Sequence, residues 1–409
     1  GGRFLLRLDD TDAERSKEEY AEGIRADLMW LGLMPDAEEK QSDRFALYEA
    51  RFTELRDAGR VYPCYETAQE LDLKRKVQLG RGLPPVYDRA ALTLTADQIA
   101  AYEAEGRSPH WRFKLDHDAP IEWTDMVRGT QHFDPKLLSD PVIRRADGSW
   151  LYMLPSVIDD VDMAITHVVR GEDHVSNTAT QLQMFTALGA EPPQFAHEAL
   201  LVGSEGKLSK RLGSLGISAF REQGLEAIAL IALLARIGTS DPVIPVTDVT
   251  PLVEAFDFAH FGRAPARFDE AELTLLNQKI VHMLGFDAVK DRLPAGVTPE
   301  AWDALRPNLE IVADITKWWQ IVTGPLRLAE QQPEQADYLS TAAAALSDLP
   351  FDANIWRTLT ERLKAETGRK GKDLFLPLRR ALTGLDHGPD MGALLPLIGK
   401  DEAVKRLSA

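Results

Sequence analysis

The first residues alternate between apolar and polar positions, and a helical period soon replaces that alternation. Phe4, Leu6 and Leu8 would line one face of a buried strand. The polar run Asp9-Asp10-Thr11-Asp12 ends it, and Ser16-Lys17-Glu18-Glu19 reads as a capping box. Tyr20, Ile24, Leu28 and Leu31 then follow at helical spacing, with Gly32 as the C′ stop. Strand, acidic loop and helix in this order make an α/β unit. From about residue 62 to 133, Pro63, Gly80, Gly82, Pro84 and Pro85 break up short helices and strands, which suits an inserted subdomain. A second α/β stretch spans about 140–202. It has a hairpin turn at Asp147-Gly148, a strand over 165–170, and a helix that Ser176, Asn177 or Thr178 caps and that ends near Leu188-Gly189. After about Asp241 the strand signals thin out. Helices are expected over 252–258, 270–284, 311–323, 336–346, 355–367 and 374–383.

Composition narrows the class. At about 100–200 residues per domain, 409 residues make two or three domains. A hydrophobic fraction of 44% with 27% charged residues argues against global disorder. No apolar run approaches the roughly 18 residues of a membrane span and no signal-peptide pattern opens the chain, so a cytoplasmic protein without a membrane partner is expected. The one cysteine, Cys64, excludes an internal disulfide framework and a Cys-rich zinc site. A net charge of −17 argues against a generic nucleic-acid binder. A local basic patch survives over 361–380, where seven Lys or Arg face three acids.

Three constellations carry chemistry. Gly206-Lys207-Leu208-Ser209-Lys210-Arg211 gathers three cations in a glycine-rich loop that could neutralise a polyphosphate as charge develops. Taken alone it reads first as a solvated basic turn, and it is not a P-loop. Arg170-Gly171-Glu172-Asp173-His174 follows a strand directly, where open α/β sheets bind ligands. Taken alone, His174 reads as a structural hydrogen-bonder. Asp159, Asp160 and Asp162 lack histidine partners at ligand spacing, so no metal site is assigned. Arg7 and Asp9 share a face at the end of the first strand and could offer opposite charges to a zwitterion, although taken alone the pattern reads as a helix-capping acidic turn.

In this order the motifs resemble the bacterial glutamyl-tRNA synthetases, which are class I aminoacyl-tRNA synthetases. The segments are Phe4 to Asp12, Val157-Ile158-Asp159-Asp160 leading through Ile165 to His174, and the lysine loop Lys207 to Arg211 with Leu208 in its second place. Ala264 to Asp269, Gly371-Lys372 and Pro377-Leu378-Arg379 are similar to that family's anticodon-side segments, so the resemblance spans the chain. The family's His-x-Gly-His signature is absent. It lies upstream of the segment matching Arg3 to Asp12, so the resemblance implies a further N-terminal segment. Some relatives hold zinc with several cysteines in the insertion. With Cys64 alone, no zinc is expected here.

The resemblance implies a Rossmann-like α/β catalytic domain in two parts, 1–62 and 134–202, around an inserted α/β subdomain at 63–133 that holds the tRNA acceptor end. A lysine-loop and stem-contact region at 203–250 and an all-α anticodon-binding region at 251–409 would follow. The implied reaction joins glutamate to tRNA-Glu through glutamyl-adenylate, using ATP with its Mg²⁺, in a monomer. Asp9 would take the substrate ammonium and Arg170 its side-chain carboxylate, with Tyr152 and Ser156 adding contacts. Glu172 and His174 would lie beside ATP with Leu208 and Ser209, while Lys207, Lys210 and Arg211 act at the phosphates. Lys370, Lys372, Arg379 and Arg380 would contact tRNA. An enzyme that also glutamylates tRNA-Gln and a non-catalytic tRNA-binding paralogue are the alternatives. A glutaminyl-tRNA synthetase would end in β-barrels, and a glutamyl-queuosine tRNA-modifying enzyme would lack the tail.

Overall fold

A computed structural model describes residues 2–12, 15–203, 206–207, 216–324 and 333–409, with backbone only at 206–207 and 333–334. It divides into two compact units. The first comprises 1–213, 236–242 and 254–268, and the second 214–235, 243–253 and 269–409. Residues 203–250, expected to form one region, are therefore shared between the two.

The first unit runs β1 (Leu5–Leu8), α1 (Glu18–Leu31), β2 (Ala37–Lys40), α2 (Phe45–Asp57), β3 (Val61–Cys64), α3 (Ala68–Gly80), α4 (Ala96–Ala104), β4 (His110–Phe113), β5 (Ile121–Asp125), β6 (Gly129–Phe133), β7 (Val142–Arg144), α5 (Met153–Asp162), β8 (His167–Gly171), α6 (Val175–Ala187), β9 (Gln194–Glu198), β10 (Leu201–Gly203), β11 (Gly206–Lys207) and β12 (Ala266–Phe268). Two parallel pairs are each bridged by a helix: β1 with β2 across α1, and β8 with β9 across α6. In the inserted stretch β3, β4 and β7 form an antiparallel sheet and β5 pairs with β6. Because β7 lies beyond residue 133, the sheet of the insertion reaches past the boundary expected for it.

Local chemistry explains several ends. Gly32 closes α1 at φ 71°, a left-handed value that favours glycine. Asp147-Gly148 makes the expected turn, with Asp147 Oδ1 accepting from the Ser149 amide at 2.8 Å, but only the Arg144–Trp150 bridge forms the second arm. The capping box at Ser16 does not form. Lys17 is the N-cap and gives no side-chain bond, while Glu18 turns to Arg25 and Lys40. α6 likewise starts without a side-chain cap, at Val175, and this frees Asn177 and Thr178 for other bonds. Of the three apolar residues at the first strand only Leu8 is buried, and Phe4 is 42% exposed. The core of this unit lies elsewhere. Phe52 meets Trp111 and Trp150 edge-on at 5.2 and 5.6 Å, with Phe113, Ile143, Leu154, Val157, Met184 and Phe185 packed into the same cluster.

The second unit is helical. The expected helices appear at Glu270–Met283, Ile315–Thr323, Pro333–Asp348, Ile355–Thr367 and Lys372–Thr383, while 252–258 shortens to Thr250–Glu254. Ile217–Glu222, Ala227–Leu234, Pro299–Leu305, Met391–Ile398 and Lys400–Ser408 add to them. Arg406, only 3% exposed, donates to the carbonyls of Ile321, Val322, Gly324 and Leu382 at 2.8–3.2 Å. One guanidinium thereby satisfies the open ends of two helices.

Candidate active site

The site is built on α5 and α6. Tyr152 sits at the start of α5 and Ser156 one turn on, while Asp159, Asp160 and Asp162 occupy its last turns. These aspartates, a conceivable cation site in sequence, are consumed by arginines. Asp160 accepts from Arg7 Nη1 at 3.0 Å, Asp162 pairs with Arg44, and the fully buried Asp159 accepts from Arg44 Nε, Tyr48 and Gln41 at 2.7–2.9 Å. Burial raises the Asp160 carboxyl above the usual range, against the pull of Arg7. Arg7 and Asp9, expected to offer opposite charges to a ligand, bond each other at 2.8 Å. Arg7 also reaches Ser156 Oγ at 3.4 Å. Arg7 is thus fully compensated, whereas the Asp9 side chain stays 46% exposed.

Arg170 presents a different environment. Its Nε donates to His197 Nε2 at 3.2 Å, and its Nη2 donates to Thr178 Oγ1 at 2.5 Å and Gln181 Oε1 at 2.7 Å. Nη1 has no protein hydrogen bond among the described residues. Both Nη2 hydrogens and the Nε hydrogen are therefore spent, and the two hydrogens of Nη1 remain. Tyr152 accepts from Asn177 Nδ2 at 2.5 Å and packs edge-on against His174 with ring centroids 6.1 Å apart. Burial raises its phenol, and the charge of Arg170 opposes this, so the two side chains share one electrostatic environment. Sequence reading missed Thr178, Gln181, His197 and Asp125. Only the polar positions on the inner face of α6 hinted at the first two.

The remaining candidates fall into two groups. Glu172 pairs with Arg128 at 2.7 Å, and His174 lies within 3.2 Å of Asn177. Lys207 stands in β11, its backbone paired with Val202, but Leu208, Ser209, Lys210 and Arg211 lie outside the described residues. In the helical unit Lys370 and Lys372 are exposed, beside Gly371 at φ 54°. Arg379 is half-buried and donates to the Pro389 carbonyl at 3.0 Å, and Arg380 is held by both oxygens of Asp386 at 2.6 and 2.8 Å. Of the four expected tRNA contacts, Lys370 and Lys372 have no charged partner among the described residues.

The insertion brings Glu66 and His110 to Cys64, with donor atoms within 4.8 Å of one another. The Tyr87 hydroxyl lies 3.7 Å from Cys64 Sγ and donates to Glu66 at 2.8 Å, and the Arg112 guanidinium stands 4.0 Å over its ring. Burial pushes the thiol up to about 12 and holds the His110 imidazole below its ordinary value. The set stops at three metal-type donors among the described residues, one short of the four that structural zinc takes.

With the geometry given, similarity to known proteins completes the assignment. Residues 1–274 match the family described as tRNA synthetases class I (E and Q), catalytic domain, and residues 287–409 match an anticodon binding domain. The glutamate–tRNA ligase 1 of Rhizorhabdus wittichii is 68% identical over 409 residues, which cover 100% of this chain and 92% of that protein. The glutamate–tRNA ligase 2 of Erythrobacter litoralis is 65% identical, covering 100% and 91%. Among solved structures, a glutamate tRNA ligase from Elizabethkingia meningosepticum in complex with its amino acid has a TM-score of 0.84 at 26% identity and covers 100% of this chain and 92% of its own. An α/β first unit, a helical second unit and matches along the whole length agree: the chain belongs to the class I tRNA synthetases of the glutamate and glutamine family.

Proposed function

We propose that the protein ligates glutamate to tRNA-Glu in two steps, with ATP as the energy source. The glutamate α-carboxylate attacks the α-phosphate of ATP and expels pyrophosphate, and a terminal ribose hydroxyl of tRNA then attacks the activated carbonyl and displaces AMP. Such chemistry needs positioning and charge stabilisation more than a protein nucleophile. The observation that carries this reading is Arg170, a guanidinium whose direct partners among the described residues are all uncharged and leave Nη1 for an anion. It suits the side-chain carboxylate of glutamate, as the exposed Asp9 carboxylate suits the ammonium. Tyr152 adds a phenol beside Arg170, and Ser156 steadies Arg7. Glu172 and His174 would flank the nucleotide, and Lys207, Lys210 and Arg211 would meet the phosphates, whose charge Mg²⁺ helps to neutralise. Lys370 and Lys372 would contact tRNA phosphates, with Arg379 and Arg380 shaping that surface.

The test is aminoacylation by the full protein of separate tRNA-Glu and tRNA-Gln transcripts, supplied with labelled glutamate or glutamine. Glutamate attached to tRNA-Glu is the expected product. Attachment of glutamine, or of neither amino acid, overturns the proposal, and glutamate on both transcripts would mark a broader tRNA range.

A further inference from the structure

The two arginines of the site differ in what holds them. Arg7 is surrounded by carboxylates: Asp9 at 2.8 Å, Asp160 at 3.0 Å and Asp159 at 3.8 Å. Arg170 has no carboxylate partner among the described residues and is instead held by an imidazole, a hydroxyl and a carboxamide. An arginine that must receive a substrate carboxylate is poorly served by a protein carboxylate in direct contact, because that group competes for the same donors and cancels the same charge.

The side chain behind Arg170 resolves this conflict. In the parallel β8–β9 pair Arg170 and His197 stand in register, so their side chains project from neighbouring strands on one face. An arginine Nε can only donate, so His197 Nε2 accepts, and the proton of the neutral ring sits on Nδ1. That N–H points at Asp125 Oδ2, 2.5 Å away, and both side chains are fully buried. Asp125 is itself fixed at the end of β5, where its Oδ1 accepts the backbone amides of Val127, Arg128 and His197 at 2.9–3.1 Å. Burial keeps the imidazole below its ordinary pKa. Burial also acts to raise the Asp125 carboxyl, but the bonds from His197 and these amides hold it below its usual range. A carboxylate thus orients the arginine through a neutral ring without touching it.

We propose that Asp125 and His197 form a positioning dyad which locks the Nε edge of Arg170, aims Nη1 at the side-chain carboxylate of glutamate, and so sets the preference for glutamate over glutamine. The proposal rests on the reading that Arg170 receives that carboxylate. His197 and Asp125 touch no substrate. Thr178 and Gln181 complete the lock from α6, one helical turn apart.

The test compares His197→Ala, His197→Gln, Asp125→Asn and Arg170→Ala in the full protein, each checked for an unchanged circular dichroism spectrum. L-glutamate and L-glutamine binding are measured by calorimetry, and glutamate and ATP dependence by pyrophosphate exchange with tRNA present. His197→Ala should weaken glutamate binding about 10–100-fold and raise its KM to match. Glutamine binding, the KM for ATP and kcat at saturating glutamate should move less than about threefold. His197→Gln keeps a neutral acceptor for Arg170 and an N–H for Asp125, so it should recover most of the loss, and Asp125→Asn should fall between. If Arg170→Ala removes glutamate binding while His197→Ala binds glutamate as the wild type does, the dyad is refuted and the carboxylate reading stands. If Arg170→Ala itself binds glutamate normally, the carboxylate reading falls. Equal losses of glutamate, glutamine and ATP binding in His197→Ala would reduce His197 to a structural residue and also refute the proposal. Should His197→Ala not fold, Asp125→Asn carries the same glutamate-to-glutamine comparison.

Discussion

Replacing Asp159 by Asn tests whether the cluster under the site is a structural ion network. The carboxylate is fully buried and accepts from Arg44 Nε at 2.7 Å, Tyr48 at 2.8 Å and Gln41 Nε2 at 2.9 Å, with Arg7 Nε at 3.8 Å. Asn keeps one acceptor oxygen and sets an NH₂ among donors. Gln41 can absorb part of this, because its own Oε1 is buried without a partner among the described residues and an amide rotation would offer it to the new NH₂. Arg44 keeps Asp162 and Arg7 keeps Asp9 and Asp160, so neither cation is stranded. The cost should therefore lie near the bottom of the range for breaking a buried pair, about 3 kcal/mol. Tyr48→Phe deletes one donor from a carboxylate that keeps two others and should cost about 1 kcal/mol. Hydrogen exchange of residues 45–57 and 153–162 isolates this unit in the two-unit chain. At 1.4 kcal/mol per decade, protection in those helices should drop about a hundredfold for Asp159→Asn and about fivefold for Tyr48→Phe. The reasoning fails if Asp159→Asn costs less than Tyr48→Phe, because charge would then not be what holds the cluster.

Three further outcomes follow from other parts of the molecule. Arg406→Ala strips four carbonyls at two helix ends of their donor and should cost roughly 3 kcal/mol, read as lost exchange protection at 315–323 and 372–383. Unchanged protection there would mean water replaces the guanidinium freely. Lys370→Ala with Lys372→Ala should lower the slope of log affinity for tRNA against log salt by about 1.5–2, and an unchanged slope would place the RNA elsewhere. Burial lowers the imidazole pKa of His110 and His197, so the unfolded chain binds protons that the folded chain refuses. Stability from this source is complete above about pH 6.5 and is lost as pH falls below it. Asp160 and Glu198, raised by burial, act in the opposite sense. The informative quantity is therefore the difference between wild type and His197→Gln, whose thermal midpoint should fall less between pH 7 and 5.5. Parallel curves would contradict the assignment.

What the sequence made legible was local. The αL stop at Gly32, the strand entering Arg170, the end of α6 at Gly189 and most helices of the second unit follow from periodicity and turn residues within a few positions. Where the pattern misled, the outcome was set by something the local pattern does not report. Tyr20 and Ile24 mark an apolar face on α1, but periodicity reports only that a face is apolar, and both are exposed at 54% and 44%. The basic count over 361–380 overstated the free charge there, because Asp386 takes Arg380 and the Pro389 carbonyl takes Arg379.

The candidate site divides along the same line. Asp9, Tyr152, Ser156 and Arg170 could be named because motif order carried them, yet nothing along the chain distinguishes Arg7 from Arg170 as a receptor for an anion. That difference lies in their partners, and the partners are set by strand register. The β8–β9 pairing brings His197 beside Arg170 from 27 residues away, and the end of β5 supplies Asp125 from 72 residues before His197. Had the β8–β9 register slipped by one residue toward the C-terminus of β9, Phe195 and His197 would exchange places with Ala196 and Glu198, and Arg170 would face a carboxylate in place of an imidazole. Glu198 carries a carboxyl raised by burial and has no cation to balance it among the described residues, so the slip would trade a neutral acceptor for a group that quenches the arginine. The chemistry proposed for Arg170 therefore depends on pairing that the buried Phe195 and Ala196 hold from opposite faces of the strand, and because the Phe195 ring also lies 5.5 Å from the Arg170 guanidinium, substitutions at these apolar positions should reach glutamate selectivity.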